Sequence, residues 1–146
     1  KYKQGGIASI FVQDNYARSI HNTLRGMHFQ LKFPQAKLLQ CMKGKIFDVA
    51  VDIRKDSPYF CKWVSQELTE DNKLQMYIPE GFAHGYYAMS ESVEIVYKCS
   101  ELHHPEDEQG ILWNDPSIGI EWPSRDPILS DKDQKLPTLQ KLMGSL

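Results

Sequence analysis

This 146-residue sequence has only three cysteines, Cys41, Cys61 and Cys99, and they lie far apart. An odd number at such wide spacing gives neither a disulfide framework nor a zinc knuckle, so they read as small buried apolar residues within strand-like runs. Neither charge dominates: 17 Lys and Arg against 19 Asp and Glu leave a formal net charge of −2, which exerts no general pull on nucleic acid or anionic lipid. No apolar run approaches the roughly 20 residues that span a bilayer, and the opening "KYKQGGIASIF" lacks the apolar centre of a secretion signal. Repeats, low-complexity tracts and long linkers are also missing. These absences point to one domain, cytoplasmic, with a small-molecule partner and neither nucleic acid nor membrane as ligand. A chain of this length buries roughly two thirds of its unfolded surface, enough for a real core.

Between Lys37 and Tyr97 the hydrophobic pattern has mostly period two, in short segments bounded by Gly, Pro, Asp or Asn, which predicts strands. In "KIFDVAVDI", Phe47, Val49, Val51 and Ile53 share one face, and Asp48, Ala50 and Asp52 share the other. One face is expected to pack and the other to stay polar. "MKGK" reads as a tight hairpin turn, "KLQMYIP" and "VEIVYKC" as further strands, with "TEDNK" and "MSES" as turns. Only "SDKDQKLPTLQKLM" is helix-like, and Pro137 splits it into two short pieces. The expected fold class is therefore all-β, a sandwich or closed double sheet of jelly-roll type with short C-terminal helical segments and a ligand site inside the barrel.

The stretch "TLRGMHFQ" sets Arg25 and His28 among Leu24, Met27 and Phe29, which favour burial. Charge in such surroundings needs internal partners or a ligand. A second histidine, His84, follows in the largely apolar "PEGFAHGYY". One histidine in an apolar strand is an ordinary core residue; two, with Arg25, Lys37 and several carboxylates, suggest a site. "P-x-G-x-x-H" resembles the second half of the cupin metal signature, but its His-x-His first half is missing, since Phe29 and Gln30 follow His28. Adjacent His103 and His104 cannot replace it from one strand, because neighbouring side chains point to opposite faces. A metal-free reading fits the same residues as acid, base and charge stabilisers beside a ketone.

"TLRGMHFQ", "PQAKLLQCMKGKIFDVAVDIRKDSPYFCKW", "IPEGFAHGYY", "YKCSELHHPEDEQGILWNDPSIGIEWP" and "PILSDKD" together resemble the dTDP-4-dehydrorhamnose 3,5-epimerase family, over about Phe11 to Pro137. The resemblance implies a metal-free cupin-type double-stranded β-helix, usually a homodimer, that uses no cofactor. As its substrate it implies a nucleoside-diphosphate 4-keto-6-deoxy sugar, epimerised at C3, C5 or both on the way to rhamnose and surface polysaccharide. It assigns His28 as the base, Asp133 as the carboxylate that orients it, Lys37 as the enolate-stabilising cation and His84 as the histidine near the keto oxygen. Arg25 takes the diphosphate, while Gln13, Asn15 and Glu108 bind sugar or nucleobase. Without the resemblance, Asp133 would read as a surface aspartate at a helix start and Lys37 as a solvated strand residue.

Two departures from the family pattern stand out. Two tyrosines normally precede the x-P-E segment, the second of them the acid opposite the base; here Leu102 and His103 occupy those places. His103 is expected to face the site as the substitute acid, with epimerisation altered and confined to one carbon as one outcome. Family members also carry a further segment before "FVQDN", including a strand and an arginine lent to the neighbouring subunit. The expected unit is a single domain over residues 1–146 without that segment, leaving a sheet edge that needs covering. A weakly active nucleotide-sugar-binding relative and a metal-dependent cupin are the alternatives.

Overall fold

The computed structural model describes residues 1–145. Nine strands are present among them: β1 (Gln13–Ile20), β2 (Leu24–Gln30), β3 (Lys37–Lys43), β4 (Lys45–Asp52), β5 (Trp63–Thr69), β6 (Gln75–Ile78), β7 (Phe82–Ala88), β8 (Ser92–Cys99) and β9 (Glu108–Gly110). Two short helices follow, α1 (Asp131–Gln134) and α2 (Leu139–Ser145), on either side of Pro137 as the proline predicts. The strands form two antiparallel sheets, ordered β1-β8-β3-β6 and β5-β4-β7-β2-β9. Every connection except β4–β5 passes from one sheet to the other, the winding of a jelly roll. No helix among the described residues is long and apolar enough to cross a membrane.

The interior rows of side chains change character along each strand. β3 presents Lys37, Leu39 and Cys41 inward, β7 presents His84, Tyr86 and Ala88, and β8 presents Val93, Ile95, Tyr97 and Cys99. Period-two alternation puts each set on one face, so the apolar ends meet as a core of Leu39, Cys41, Ile46, Leu68, Ala88, Val93 and Ile95. The opposite ends, carrying Lys37, His84 and Tyr97, are left to line a cleft. A second core lies on the outer face of the five-stranded sheet, where Met27, Phe29, Val49, Val51 and Ala83 pack under Ile111, Ile118, Leu139 and Leu142 of the C-terminal segment.

Three local expectations are corrected. "MKGK" turns tightly but makes no hairpin, because β3 and β4 belong to different sheets. Gly44, at φ +79°, forms a corner where a β-carbon would collide with the Ser90 side chain and the Ser92 carbonyl. The polar face of β4 is not solvated: as a central strand β4 is covered on both sides, and Asp48 and Asp52 are fully buried. Cys61 is only partly buried and lies in the turn before β5 at φ +69°, whereas Cys41 and Cys99 are buried in strands as expected.

β2 holds an irregularity that shapes the cleft. Arg25 pairs with Tyr86 but His28 pairs with His84, so one extra residue is accommodated opposite Gly85. The bulge lets Arg25 and His28 line the same cavity, while Met27 and Phe29 turn into the outer core. Gly26 occupies it at φ +129°, and a β-carbon there would lie 2.6 Å from the Gly85 Cα and 2.8 Å from the His84 carbonyl oxygen. Both obstacles are backbone, so neither can rotate away. Gly26→Ala is therefore expected to destabilise the fold by about 2–5 kcal/mol, combining backbone strain with overpacking. Thermal unfolding followed by circular dichroism should show a midpoint lower by roughly 5–15 °C.

Candidate active site

Two cavities of about 250 and 310 Å³ open between the sheets and share His28, Lys37 and Tyr97 in their walls, so they form one cleft. Gln13, Asn15, His103 and Glu108 line one part, and Arg25, His84 and Asp133 the other. All nine residues singled out in the sequence thus surround a single space, although they come from β1, β2, β3, β7, β9, α1 and the loop after β8.

His28 projects from β2 beyond the bulge, about a quarter exposed, with its Nε2 2.6 Å from Asp133 Oδ1. Asp133 reaches it from α1, where Ser130 caps the helix by accepting from the Asp133 amide. It is a helix-start aspartate, as its local sequence suggests, but its side chain is buried. Its other oxygen, Oδ2, accepts the Gly26 amide at 3.1 Å. Burial pushes the Asp133 carboxyl up, but the hydrogen bond and charge of His28, the Gly26 amide and Lys132 outweigh it and hold the carboxyl below its ordinary range.

His84 is the direct cross-strand partner of His28 and has a carboxylate of its own, with Nε2 2.7 Å from Asp48 Oδ1. Asp48 Oδ2, also buried, has no hydrogen-bond partner among the described residues. Lys37 begins β3 with its Nζ 6.0 Å from the Tyr97 ring centroid. Burial pushes its ammonium down from the ordinary lysine value, opposed by the charges of Cys99, Glu108 and Asp48. Burial likewise raises the Tyr97 and Tyr86 phenols. Arg25 differs from expectation: it is exposed at the rim of the cleft, with Nε donating to Ser19 Oγ at 3.1 Å, so it pays little desolvation cost. It is a solvent-facing cation at the mouth of the cleft rather than a buried charge.

Gln13 donates to Asn15 Oδ1 at 2.9 Å, and its own oxygen accepts the His103 amide at 3.0 Å. The His103 ring, half exposed, sets Nε2 2.8 Å from Glu108 Oε2. The surrounding loops are pinned by buried polar side chains: Gln30 accepts the His104 amide and donates to the Phe33 carbonyl, and Asp107 accepts the Lys32 and Phe33 amides. Among the described residues no three His, Cys, Asp or Glu side chains converge as a metal site would require.

The sequence reading passed over Asp48, Tyr86, Tyr97 and Lys132 as site residues. The signal for Tyr97 and Tyr86 was available, since each continues the interior row of its strand toward Cys99 and His84. For Asp48 the sequence carries no such signal, because its burial depends on β4 being a central strand.

A family model described as dTDP-4-dehydrorhamnose 3,5-epimerase matches residues 1–141. The chain belongs to the dTDP-4-dehydrorhamnose 3,5-epimerase family. The enzyme of that name from Shigella flexneri is 54% identical over 124 residues, covering 84% of this chain and 68% of the relative. Its counterpart from Methanothermobacter thermautotrophicus is 46% identical over 143 residues, covering 96% and 77%. Among solved structures, the dTDP-6-deoxy-D-glucose-3,5-epimerase of Legionella pneumophila in complex with dTDP-4-keto-L-rhamnose superimposes with a TM-score of 0.91 at 45% identity, covering 94% of this chain and 74% of that one.

The depressed Asp133 carboxyl has a thermodynamic consequence. Its contribution to stability is fully present above the unfolded value near 3.8 and is lost as pH falls through the lower folded value. Asp133→Asn should cost about 1.5–3 kcal/mol at pH 6, the scale of a charge-assisted hydrogen bond. The gap between wild type and variant should close progressively below pH ~4. Urea unfolding of both proteins across that range checks the sign.

Proposed function

We propose that the protein epimerises a dTDP-linked 4-keto-6-deoxy sugar, by removing and returning the proton on a carbon beside the keto group. The observation that carries this reading is the His28–Asp133 pair at 2.6 Å, set in a cleft with the buried amine of Lys37. With Nε2 of His28 held by Asp133, Nδ1 is the nitrogen left to accept the sugar's proton, and the carboxylate supports the imidazolium that forms. Lys37 and His84 serve to stabilise the enolate oxygen, so the reaction as read needs neither metal nor cofactor. Arg25 at the rim suits the diphosphate, and Gln13, Asn15 and Glu108 suit sugar and base. His103 stands as the acid that returns the proton on the other face, at C3, C5 or both. The relatives' names and the nucleotide sugar bound in the Legionella structure support the same substrate class. Within this reading the enzyme is cytoplasmic and serves deoxysugar synthesis.

Incubation of the 4-keto sugar nucleotide in deuterated water, followed by proton NMR, tests the chemistry. Wild-type protein should introduce deuterium at C3, C5 or both, and His28→Asn should slow this by about 10²–10⁴-fold. Absence of label at both carbons with wild type would replace the epimerase reading with that of a binding protein.

A homodimer belongs to the same proposal. β1 is an edge strand whose outward face sets Tyr16 and Ile20 in line with Val12 and Ile10, all exposed. An edge of this kind is a template for pairing with a second copy. Light scattering should give about twice the 16.9 kDa chain mass, and Val12→Lys/Ile20→Lys should shift it toward the single chain.

A further inference from the structure

Glu108 stands between the two histidines to which opposite roles fall. On β9 it lies opposite Gln30 of β2, with its side chain mostly buried. Oε2 is 2.8 Å from His103 Nε2, and Oε1 is 3.8 Å from His28 Nδ1 and 3.4 Å from Lys132 Nζ. The His103 main chain is also fixed, since Gln13 accepts its amide and Gln30 accepts the amide of His104. The residue is thus held by its backbone amide and by ring Nε2, both to residues of the cleft wall. Burial pushes the Glu108 carboxyl up, but the hydrogen bond of His103 and the charges of His28 and Lys132 hold it below the ordinary glutamate value, so it remains an acceptor.

Resting on the reading of His28 as base, we propose that Glu108 is a positioning residue that fixes His103 as the Nε2–H tautomer, leaving Nδ1 to deliver the proton to the sugar. His103 Nδ1 has no hydrogen-bond partner among the described residues. In the step itself, the Nδ1–H bond of the imidazolium breaks and a C–H bond forms on the face away from His28. The electron pair comes from the enolate double bond, and the C4 carbonyl reforms. His103 is left neutral with its proton on Nε2, and Glu108 stays a carboxylate throughout. A tyrosine, with one polar atom and no tautomers, would need no such partner, so His103 and Glu108 work as one unit.

Two events separate under this proposal. Exchange with retained configuration needs only His28, which has Asp133 at hydrogen-bond distance, whereas inversion needs His103 as well. In deuterated water and at saturating sugar nucleotide, Glu108→Gln should lower the ratio of inversion to exchange by about tenfold, whatever the change also does to binding. In the His103→Tyr background the same Glu108→Gln change should alter that ratio less than about twofold, as a double-mutant cycle reports. Nitrogen-15 NMR of histidine-labelled wild type should show neutral His103 protonated on Nε2, and a mixture of tautomers in Glu108→Gln; this readout stands even if His103→Tyr fails to fold. Protonation on Nδ1 in wild type, equal loss of exchange and inversion in Glu108→Gln, or an undiminished Glu108→Gln effect beside tyrosine would each overturn the proposal. Exchange without inversion in wild type would overturn it too while sparing His28 as base, and no exchange at all would instead sink the epimerase reading.

Discussion

One carboxylate holds the centre of this molecule together. Asp133 accepts from the imidazole of His28 with one oxygen and from the amide of Gly26 with the other. The second bond matters as much as the first, because it ties the helix-borne side chain to the backbone of the bulge from which His28 emerges. Ring and bulge are set by the same group, so the imidazole is held in a fixed relation to the strand that carries it. The Ser130 cap fixes the origin of that side chain in turn. Preorganisation of this kind is what a base acting on a weakly acidic carbon requires, since the geometry is in place before substrate enters.

The two histidines face each other across β2 and β7, yet draw their carboxylates from different parts of the fold, α1 for His28 and β4 for His84. The same chemical pair is thereby given unequal surroundings. His28 is partly open to the cleft, while His84 and Asp48 are almost wholly enclosed. Opposite them, the interior row of β3 delivers a single amine, Lys37, whose burial disfavours its charge even as nearby acidic groups restore it. A jelly roll can carry such a site because its interior rows are apolar at one end, where they pay for burial, and polar at the other.

Much of this was legible from the chain alone. Period-two segments, the Pro137 break and ordered blocks of residues pointed to the fold and the family, and residues as distant as Gln13 and Asp133 do meet in one cleft. What stayed hidden shares a cause: it depends on which strands become neighbours. The corner at Gly44 looks like a hairpin turn until β3 and β4 are known to lie in different sheets. Asp48 looks solvated until β4 is known to be central, and Arg25 looks buried until the bulge turns it to the rim. The link between His103 and Glu108 could not be read from spacing, since it depends on a 3-10 turn at Pro105–Asp107 folding the chain back on itself.

Asp133 lies 105 residues beyond the histidine it holds and only a short way from the end of the described chain. During synthesis every strand of the barrel emerges before α1 does, and non-local pairing of this kind is slow to assemble. A nascent chain from which α1 has not yet emerged can therefore have both sheets formed and still lack the carboxylate that holds His28. The pair is completed when α1 docks against β2.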